Sequence, residues 1–370
     1  MRKIKPKVLL LSPLGTKGTG GIAKWTQRLL DYYKSSVCES VDLIQYYPNS
    51  EGVISDTPFL KRILIGIRCY SIMLYKLRHL LKNNSVDVVH LCSSASMGLI
   101  RDYLIIQMAR KYKSKIILHF RFGRIPSLFE KKNWEYRLIR NVIYKADHVI
   151  VIDESSYRTL VNAGFSNVSK LANPLFPHVA SIIDDNKLIK RVANKIVFAG
   201  HVVRNKGIME LVVACKNISN IKLCIYGRIT DDMRTLILHE AGPDCNEWLE
   251  IMGERNGDET IKAMLSAGVF VLPTYTEGFP NVIIESMACG CPIVTTPVGE
   301  IPEMLDIHGD NNCGICVPVK DVNKLQHAIE KMLNNPQYAQ ECGQNAKNRI
   351  RTFYSIDFVW DKLLQLWDTV

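Results

Sequence analysis

This 370-residue chain predicts an α/β protein of two doubly wound domains in succession. Three observations carry the prediction. Short apolar strand-like runs alternate with longer amphipathic stretches, the rhythm of parallel sheets covered by helices on both faces. The rhythm halts once, at NPLFPHVASIIDDN (173–186), where two prolines interrupt it, and then resumes. The length is too great for one comfortable hydrophobic core and suits two domains of about 150–200 residues each.

In the first half, VLLLSP (8–13), VDVVHLC (86–92), KIILHF (115–120) and HVIVID (148–153) read as strands, with helices starting near Ile22, Phe59, Met97 and Trp134. In the second half, KIVFAG (195–200), KLCIYG (222–227), LEIMG (249–253), VFVLPTY (269–275) and PIVTT (292–296) repeat the pattern. Near-continuous apolar runs of this kind belong to strands buried on both faces. The domains are expected at 1–175 and 176–354, facing each other across a cleft. Ligands of open α/β sheets bind beyond the carboxyl ends of the strands, so the loops there are the places to look for chemistry.

Composition is ordinary for a globular protein except for a formal net charge of +11. Such a balance favours an anionic partner: a phosphate, a nucleic acid or an acidic bilayer face. Basic and aromatic residues do not interleave on any recognisable nucleic-acid motif, which sets that partner aside. MRKIKPKVLLLSPLG at the start has an apolar run of only VLLL and no small-residue cleavage pattern behind it, so it reads as a first strand rather than a secretion signal. No run of 18 apolar residues suggests a spanning helix. Eleven scattered cysteines look like small buried hydrophobes in a reducing compartment, which implies the cytoplasm. Cys313 with Cys316 and Cys289 with Cys291 are closely spaced, yet they lack the matched pairs and loop context of a zinc site, so no metal is expected.

Four strand-end loops stand out. GTKGTGGIAKW (15–25) ends in Gly20 and Gly21 just before a helix; it reads as a ligand cradle or as a flexible turn. HFRFGRIP (119–126) places His119 at a strand's end with Arg121 and Arg124 behind it, either a catalytic cluster or a structural histidine beside surface charge. In GHVVRNKGIMEL (200–211), Arg204 and Lys206 precede a glycine and a helix, a site for a diphosphate or a solvated basic loop. EGFPNVIIE (277–285) sets Glu277 and Glu285 around the start of another helix. Acidic residues are favoured at helix starts, which accounts for Glu277. Glu285, followed by the small, apolar SMACGCP, should be largely buried and in need of donors, and the vicinal hydroxyls of a sugar and a ribose would supply them.

The glycine loop, His119, the R-x-K-G of 204–207 and above all EGFPNVIIESMACGCPIVTTPVGEIPEML together resemble the retaining, GT-B-fold glycosyltransferases of family 4, over nearly the whole chain. The resemblance implies a nucleotide-diphosphate sugar as donor, held mostly by the second domain, and a glycan or lipid-linked glycan as acceptor in cell-surface polysaccharide synthesis. It makes Lys206 the diphosphate ligand, Glu285 the ribose ligand and Glu277 the ligand of the sugar hydroxyls. His119 would touch the sugar near its C6 hydroxyl. Gly20, Gly21 and the stretch Gly278, Phe279, Pro280, Asn281 and Val282 would complete the donor site, with Arg121 and Arg124 on the acceptor side. The family usually has Arg after the glycine of the KIVFAG strand; here it is His201, which leaves Arg204 as the second cation or the diphosphate less tightly held.

Retention in this family resembles a same-face displacement without an enzyme nucleophile, and with no Asp-x-Asp in the chain no metal cofactor is implied. The final segment, SIDFVWDKLLQLWDTV (355–370), resembles a terminal helix that returns to the first domain. FLKRILIGIRCYSIMLYKLRHLLK (59–82) carries Lys61, Arg62, Arg68, Lys76, Arg78 and Lys82 without an acid. It is either a helix in the anionic inner face of the cell membrane or one packed on the sheet through Leu60, Ile63, Ile67, Leu74, Leu77 and Leu81. A nucleotide-sugar epimerase of the same two-domain fold and, more remotely, a basic nucleic-acid-binding protein are the rival readings.

Overall fold

The computed structural model describes residues 5–14, 21–36, 40–47, 59–94 and 96–370; the side chains of 59–67 and 69 lie outside that description. The chain divides into two compact units, 1–171 with 360–370, and 172–359. The expected division at 175/176 and 354/355 therefore shifts by a few residues at both crossings.

In the first unit the order is β1 (Lys7–Leu11), α1 (Gly21–Ser35), β2 (Asp42–Tyr46), α2 (Phe59–Asn83), β3 (Val88–Ser93) and α3 (Gly98–Lys111). Then follow β4 (Lys115–Phe120), α4 (Ile125–Lys131), α5 (Trp134–Lys145), β5 (His148–Val151), α6 (Glu154–Asn162) and β6 (Val168–Lys170). All strand pairs are parallel, in the spatial order β2-β1-β3-β4-β5-β6. Val8, Leu9 and Leu10 are wholly buried, as are Ile116, Ile117 and Leu118, because helices cover both faces of the sheet.

The second unit runs α7 (Pro177–Asp185), β7 (Val192–Ala199), α8 (Ile208–Lys216), β8 (Lys222–Tyr226), α9 (Asp231–Ala241), β9 (Leu249–Gly253), α10 (Gly257–Ser266) and β10 (Ala267–Leu272). It continues with α11 (Asn281–Ala288), β11 (Ile293–Thr295), α12 (Ile301–Met304), β12 (Ile315–Cys316), α13 (Val322–Asn334) and α14 (Pro336–Phe353). Its sheet is also parallel, ordered β12-β11-β10-β7-β8-β9. The last helix, α15 (Ile356–Thr369), begins in the second unit and from Trp360 onward belongs to the first. Trp360, Leu363 and Trp367 are buried there, and the Trp360 ring meets those of Tyr32 and Tyr33.

Every strand expected from the sequence is present, within a few residues. The edge strands β2, β6 and β12 were not expected; at two to five residues each they carry too little apolar pattern to be read. The 173–186 segment is corrected as well. Pro177 does not end structure but begins α7, since a proline at the first helical position loses only an N–H that would be unpaired anyway.

In each sheet the chain builds outward from its first strand on one side and then crosses to the other. The crossover lies between β1 and β3 in the first unit and between β7 and β10 in the second. Crevices beyond the carboxyl ends of such strand pairs are where doubly wound sheets bind ligands.

Candidate active site

In the second unit the crevice falls between the segments that follow β7 and β10. After β7 the chain makes one 3-10 turn, Arg204–Lys206, and Gly207 then opens α8 with φ +70°. A Cβ at Gly207 would lie 2.0 Å from the carbonyl oxygen of Pro273, so only glycine lets the two segments approach this closely. The turn is also tied across: the Tyr275 N–H donates to the Asn205 carbonyl at 2.8 Å, and the Thr274 hydroxyl to the same oxygen at 3.3 Å. The Lys206 ammonium consequently forms an ion pair with the Glu277 carboxylate. Their side chains are 23% and 16% exposed, so the pair is shielded but reachable.

Glu277 is held from the other side too. Gly299 has φ +59°, and a Cβ there would sit 2.4 Å from the Glu277 carbonyl oxygen; the Glu300 N–H donates to the Gly278 carbonyl at 2.9 Å. Phe279 is buried with its ring centroid 6.1 Å from that of Tyr354. Pro280 is the N-cap of α11 and offers no side-chain acceptor; its carbonyl takes the Ile283 N–H at 3.1 Å, which leaves the Asn281 and Val282 amides without a cap bond. The Asn281 side-chain oxygen accepts from Asn173 at 2.9 Å, which fixes its carboxamide, and Val282 is half-buried.

Glu285 departs from expectation: it is half-buried, not enclosed. The core side of α11 is taken by Ile283, Ile284 and Met287, and helical spacing puts Glu285 on the face of exposed Asn281. Arg204 and His201 are exposed. Sequence reading missed Glu210, which accepts from the Tyr275 hydroxyl. Burial, followed by that bond, pushes the Tyr275 phenol up to about 12. The Lys320 ammonium lies 5.0 Å from the centre of the same ring. Only the position of Tyr275 just past a strand could have flagged this group.

In the first unit, rings pack in a line along the sheet. Gly21 begins α1, with open space where its Cβ would stand; Gly20 lies outside the described residues. His119, expected at the strand's end, is the penultimate residue of β4 and has no exposed surface. As packed, it offers a sugar hydroxyl nothing to touch. Its Nδ1 is 3.1 Å from Nε2 of His90, its Nε2 is 3.2 Å from an Arg121 nitrogen, and the Trp25 ring meets it edge-on at 5.6 Å. The Arg121 guanidinium lies 4.2 Å over the Trp25 ring, and burial lowers its pKa to about 10. On the far side, the Trp367 indole N–H donates to His90 Nδ1 at 3.0 Å.

Burial first, then the Arg121 charge, lowers both histidines, His90 to about 3 and His119 well below its ordinary value, so both rings are neutral. Each then carries one proton. Indole and guanidinium can only donate, so a donor stands at each end of the pair and one contact in the chain must oppose donor to donor. The longest, Arg121 to His119, is the weakest link.

His90, Cys92 and His119 also bring ligand atoms within 4.8 Å of one another. A metal on His90 Nε2 would require the proton on Nδ1, where it would meet the Trp367 N–H, and burial raises the Cys92 thiol above its ordinary value. The trio suits a hydrogen-bonded stack better than a metal centre. Arg124 is drawn away from ligand duty: it pairs with Glu135 at 2.8 Å and donates to the Ser96 hydroxyl at 2.6 Å. Cys289, Cys291 and Cys313 are buried and Cys316 is half-buried, and burial lifts the last three thiols to about 11, 12 and 12, an inert setting.

Residues 181–349 match the family model of the glycosyl transferases group 1. The capsular polysaccharide biosynthesis glycosyltransferase CapM of Staphylococcus aureus is 25% identical over 256 residues, 63% of this chain and 64% of that one. Similar at 25% over 330 residues, 84% of this chain and 83% of its own, is the N-acetylgalactosamine-N,N'-diacetylbacillosaminyl-diphospho-undecaprenol 4-alpha-N-acetylgalactosaminyltransferase of Campylobacter jejuni. The chain spans less than two thirds of CapM, and the match to an uncharacterized glycosyltransferase of Methanocaldococcus jannaschii covers 44% of that protein. Among solved structures, the sucrose-phosphate synthase of Thermosynechococcus elongatus superposes with TM-score 0.75 at 17% identity, covering 98% of each chain. Anabaena Alr3699/HepE in complex with UDP gives 0.71 at 12%, covering 99% of this chain and 100% of its own. The fold is thus the two-unit α/β architecture of the GT-B glycosyltransferases, and the sequence matches support a glycosyltransferase.

Proposed function

We propose that this protein is a retaining glycosyltransferase of family 4 that moves a hexose-type sugar from a nucleotide-diphosphate sugar to a glycan or lipid-linked glycan acceptor, in cell-surface polysaccharide synthesis. The observation that carries the reading is the Lys206–Glu277 ion pair at the β7/β10 crossover, beside the open N-terminus of α11. Breaking the bond from sugar C1 to phosphate leaves negative charge on the diphosphate, and a fixed ammonium with helix amides stabilises that charge as it forms. Glu277 neutralises Lys206 in the pair. An incoming diphosphate takes over the ammonium and frees the carboxylate for the sugar hydroxyls, so the exchange keeps the local charge balanced. Glu285 takes the ribose hydroxyls from the exposed face of α11. The acceptor oxygen bonds to C1 on the face that the phosphate leaves and the departing phosphate oxygen takes the acceptor's proton, so no enzyme nucleophile or base is needed. Lys206 with the helix amides supplies the positive charge that a metal would otherwise bring.

The relatives named for capsular polysaccharide synthesis and for a diphospho-undecaprenol substrate support the acceptor class. The same reading takes the enzyme to be cytoplasmic and to work at the inner face of the membrane, with α2 as the contact. Of the expected stripe, Leu77 and Leu81 are buried and Leu74 packs against the core beside Met73, while the side chains of Leu60, Ile63 and Ile67, and of Lys61 and Arg62, lie outside the described residues. The opposite side shows Ile72 and Tyr75 among Arg68, Lys76, Arg78 and Lys82, all exposed, and Tyr70, two turns before Leu77, is exposed as well.

The test is turnover with a panel of uridine, guanosine and adenosine diphosphate sugars. Lys206→Ala and Glu285→Ala should each cut it by at least about tenfold, the worth of one lost charged hydrogen bond, with unchanged melting. Normal transfer by either variant removes that residue from the donor site, and donor conversion without any acceptor would favour the epimerase.

A further inference from the structure

The second unit holds a cavity of about 450 Å³ on the edge of its sheet opposite the Lys206–Glu277 pair. Arg191 precedes β7, Gly268 is the second residue of β10 and Pro292 precedes β11; all three line it, so it sits at the amino ends of three neighbouring strands. The donor site lies at their carboxyl ends, which makes this a separate place.

Its chemistry is one-sided in charge. Arg191 and Lys347 line it, and none of its lining residues is acidic. Arg191 is held ready: its guanidinium donates to the carbonyls of Ala267 at 2.8 Å, Cys289 at 2.7 Å and Met264 at 3.3 Å. These carbonyls end α10 and α11, so the partial negative charge of two helix C-termini offsets part of the Arg191 charge. Among the described residues Lys347 is in no ion pair, and its charge is the one left open to a ligand. Gln340, Gln344 and Lys347 fall at i, i+4 and i+7 of α14 and share one face. Small residues beneath them, Ala339 and Gly343, keep the floor low, and Gly343 is obligatory because a Cβ there would lie 2.3 Å from the Gly290 carbonyl oxygen. Met332 and Pro336 form an apolar wall. Two cations, two amides for hydroxyls and an apolar side, in a volume within the range of small-molecule sites, fit a phosphorylated sugar.

We propose that this cavity is a second ligand site, specific for a small sugar phosphate and distinct from the donor site. Calorimetric titration of the full chain with ribose 5-phosphate, against ribose as neutral control, tests it. The phosphate should bind with a submillimolar Kd and ribose should not. Lys347→Glu should weaken binding by at least about tenfold, and Lys347→Gln should weaken it less and decide the matter if the charge reversal does not fold. Lys206→Ala should bind ribose 5-phosphate as the unaltered chain does. No binding by about 10 mM, equal binding of ribose, equal affinity in the folded Lys347 variant, or loss in Lys206→Ala overturns the proposal.

Discussion

The carboxyl edge of the second sheet and the ring stack along the first solve opposite problems within the same topology. In the second unit, glycines bring backbone against backbone so that an ion pair and an uncapped helix end stand at the crossover, still reachable by solvent. In the first, Trp25, His119, His90 and Trp367 form a stack that runs along the sheet, from the end of β4 through the middle of β3 to the strand starts. One region spends its packing on holding charge in place, and the other on excluding water. Burial of neutral rings stabilises a fold, whereas a partly shielded ion pair contributes only about 0–1 kcal/mol, so the edge is organised for chemistry and the stack for cohesion.

The sharpest way to break this contrast is to substitute a glycine on each side. Gly207→Ala meets two obstacles: φ of +70° and the Pro273 oxygen 2.0 Å from the new Cβ. The expected cost is about 3 kcal/mol, a fall of roughly 6–12 °C in the melting of the second unit, together with loss of transfer as Lys206 leaves Glu277. Gly21→Ala, with open space around it, should change stability by less than about 0.5 kcal/mol. Calorimetric melting of both variants decides it, and equal shifts would show that close backbone approach is not what sets the edge of the second sheet apart.

The two regions also differed in how far they could be read from sequence. R-x-K-G and E-x7-E lie just past strands and carry their charges in plain view, so Lys206 and Glu277, which the structure pairs, are both marked in the sequence; that they meet is read only from the resemblance. The central strands were legible too, because burial on both faces leaves an unbroken apolar run. What stayed hidden depends on residues far apart in the chain. Nothing local marks His90 as the neighbour of His119, or Trp367 as the donor to a ring 277 positions earlier. The burial of Glu285 was overstated because an apolar sequence neighbourhood does not say which side of a short helix a residue occupies. The cavity lined by Arg191 and Lys347 draws on the starts of β7 and β10 and on α14, too far apart in the chain to leave a local motif.

Acid should separate the units next. His90 is held down to about 3 by burial and by Arg121, against about 6.5 in the unfolded chain. The folded state therefore keeps the ring neutral while the unfolded state takes up a proton. The stabilisation is fully present above pH 6.5 and is lost as pH falls from there toward 3, by up to about 1.4 kcal/mol per pH unit for each such histidine. His119 shifts the same way. The first unit should therefore be the first to unfold on acidification, followed by indole fluorescence, since Trp25 and Trp367 flank the imidazoles. Trp367→Phe should cost about 1–3 kcal/mol at pH 7 by leaving His90 Nδ1 buried without its donor. A melting curve for the first unit that is flat between pH 6.5 and 4 would contradict the neutral stack.

The smallest effect is expected on the outside of the first unit, where cohesion gives way to charge. Four cations surround exposed Ile72 and Tyr75 on α2, and each Lys or Arg near an anionic bilayer contributes about 1 kcal/mol at modest ionic strength. The protein should pellet with vesicles containing phosphatidylserine at low salt and be released as salt is raised, because the attraction falls off within a Debye length. Removing one charge, as in Arg78→Gln, should weaken partition by about fivefold, and Tyr75→Ala should weaken it at every salt concentration, since it removes apolar contact rather than charge. Neutral vesicles should retain little. If the protein pellets equally with neutral and anionic vesicles, charge is not what brings α2 to the membrane. If it pellets with neither, the acceptor must reach the enzyme in solution, and the basic face of α2 remains a solvated surface like that of any helix packed on a sheet.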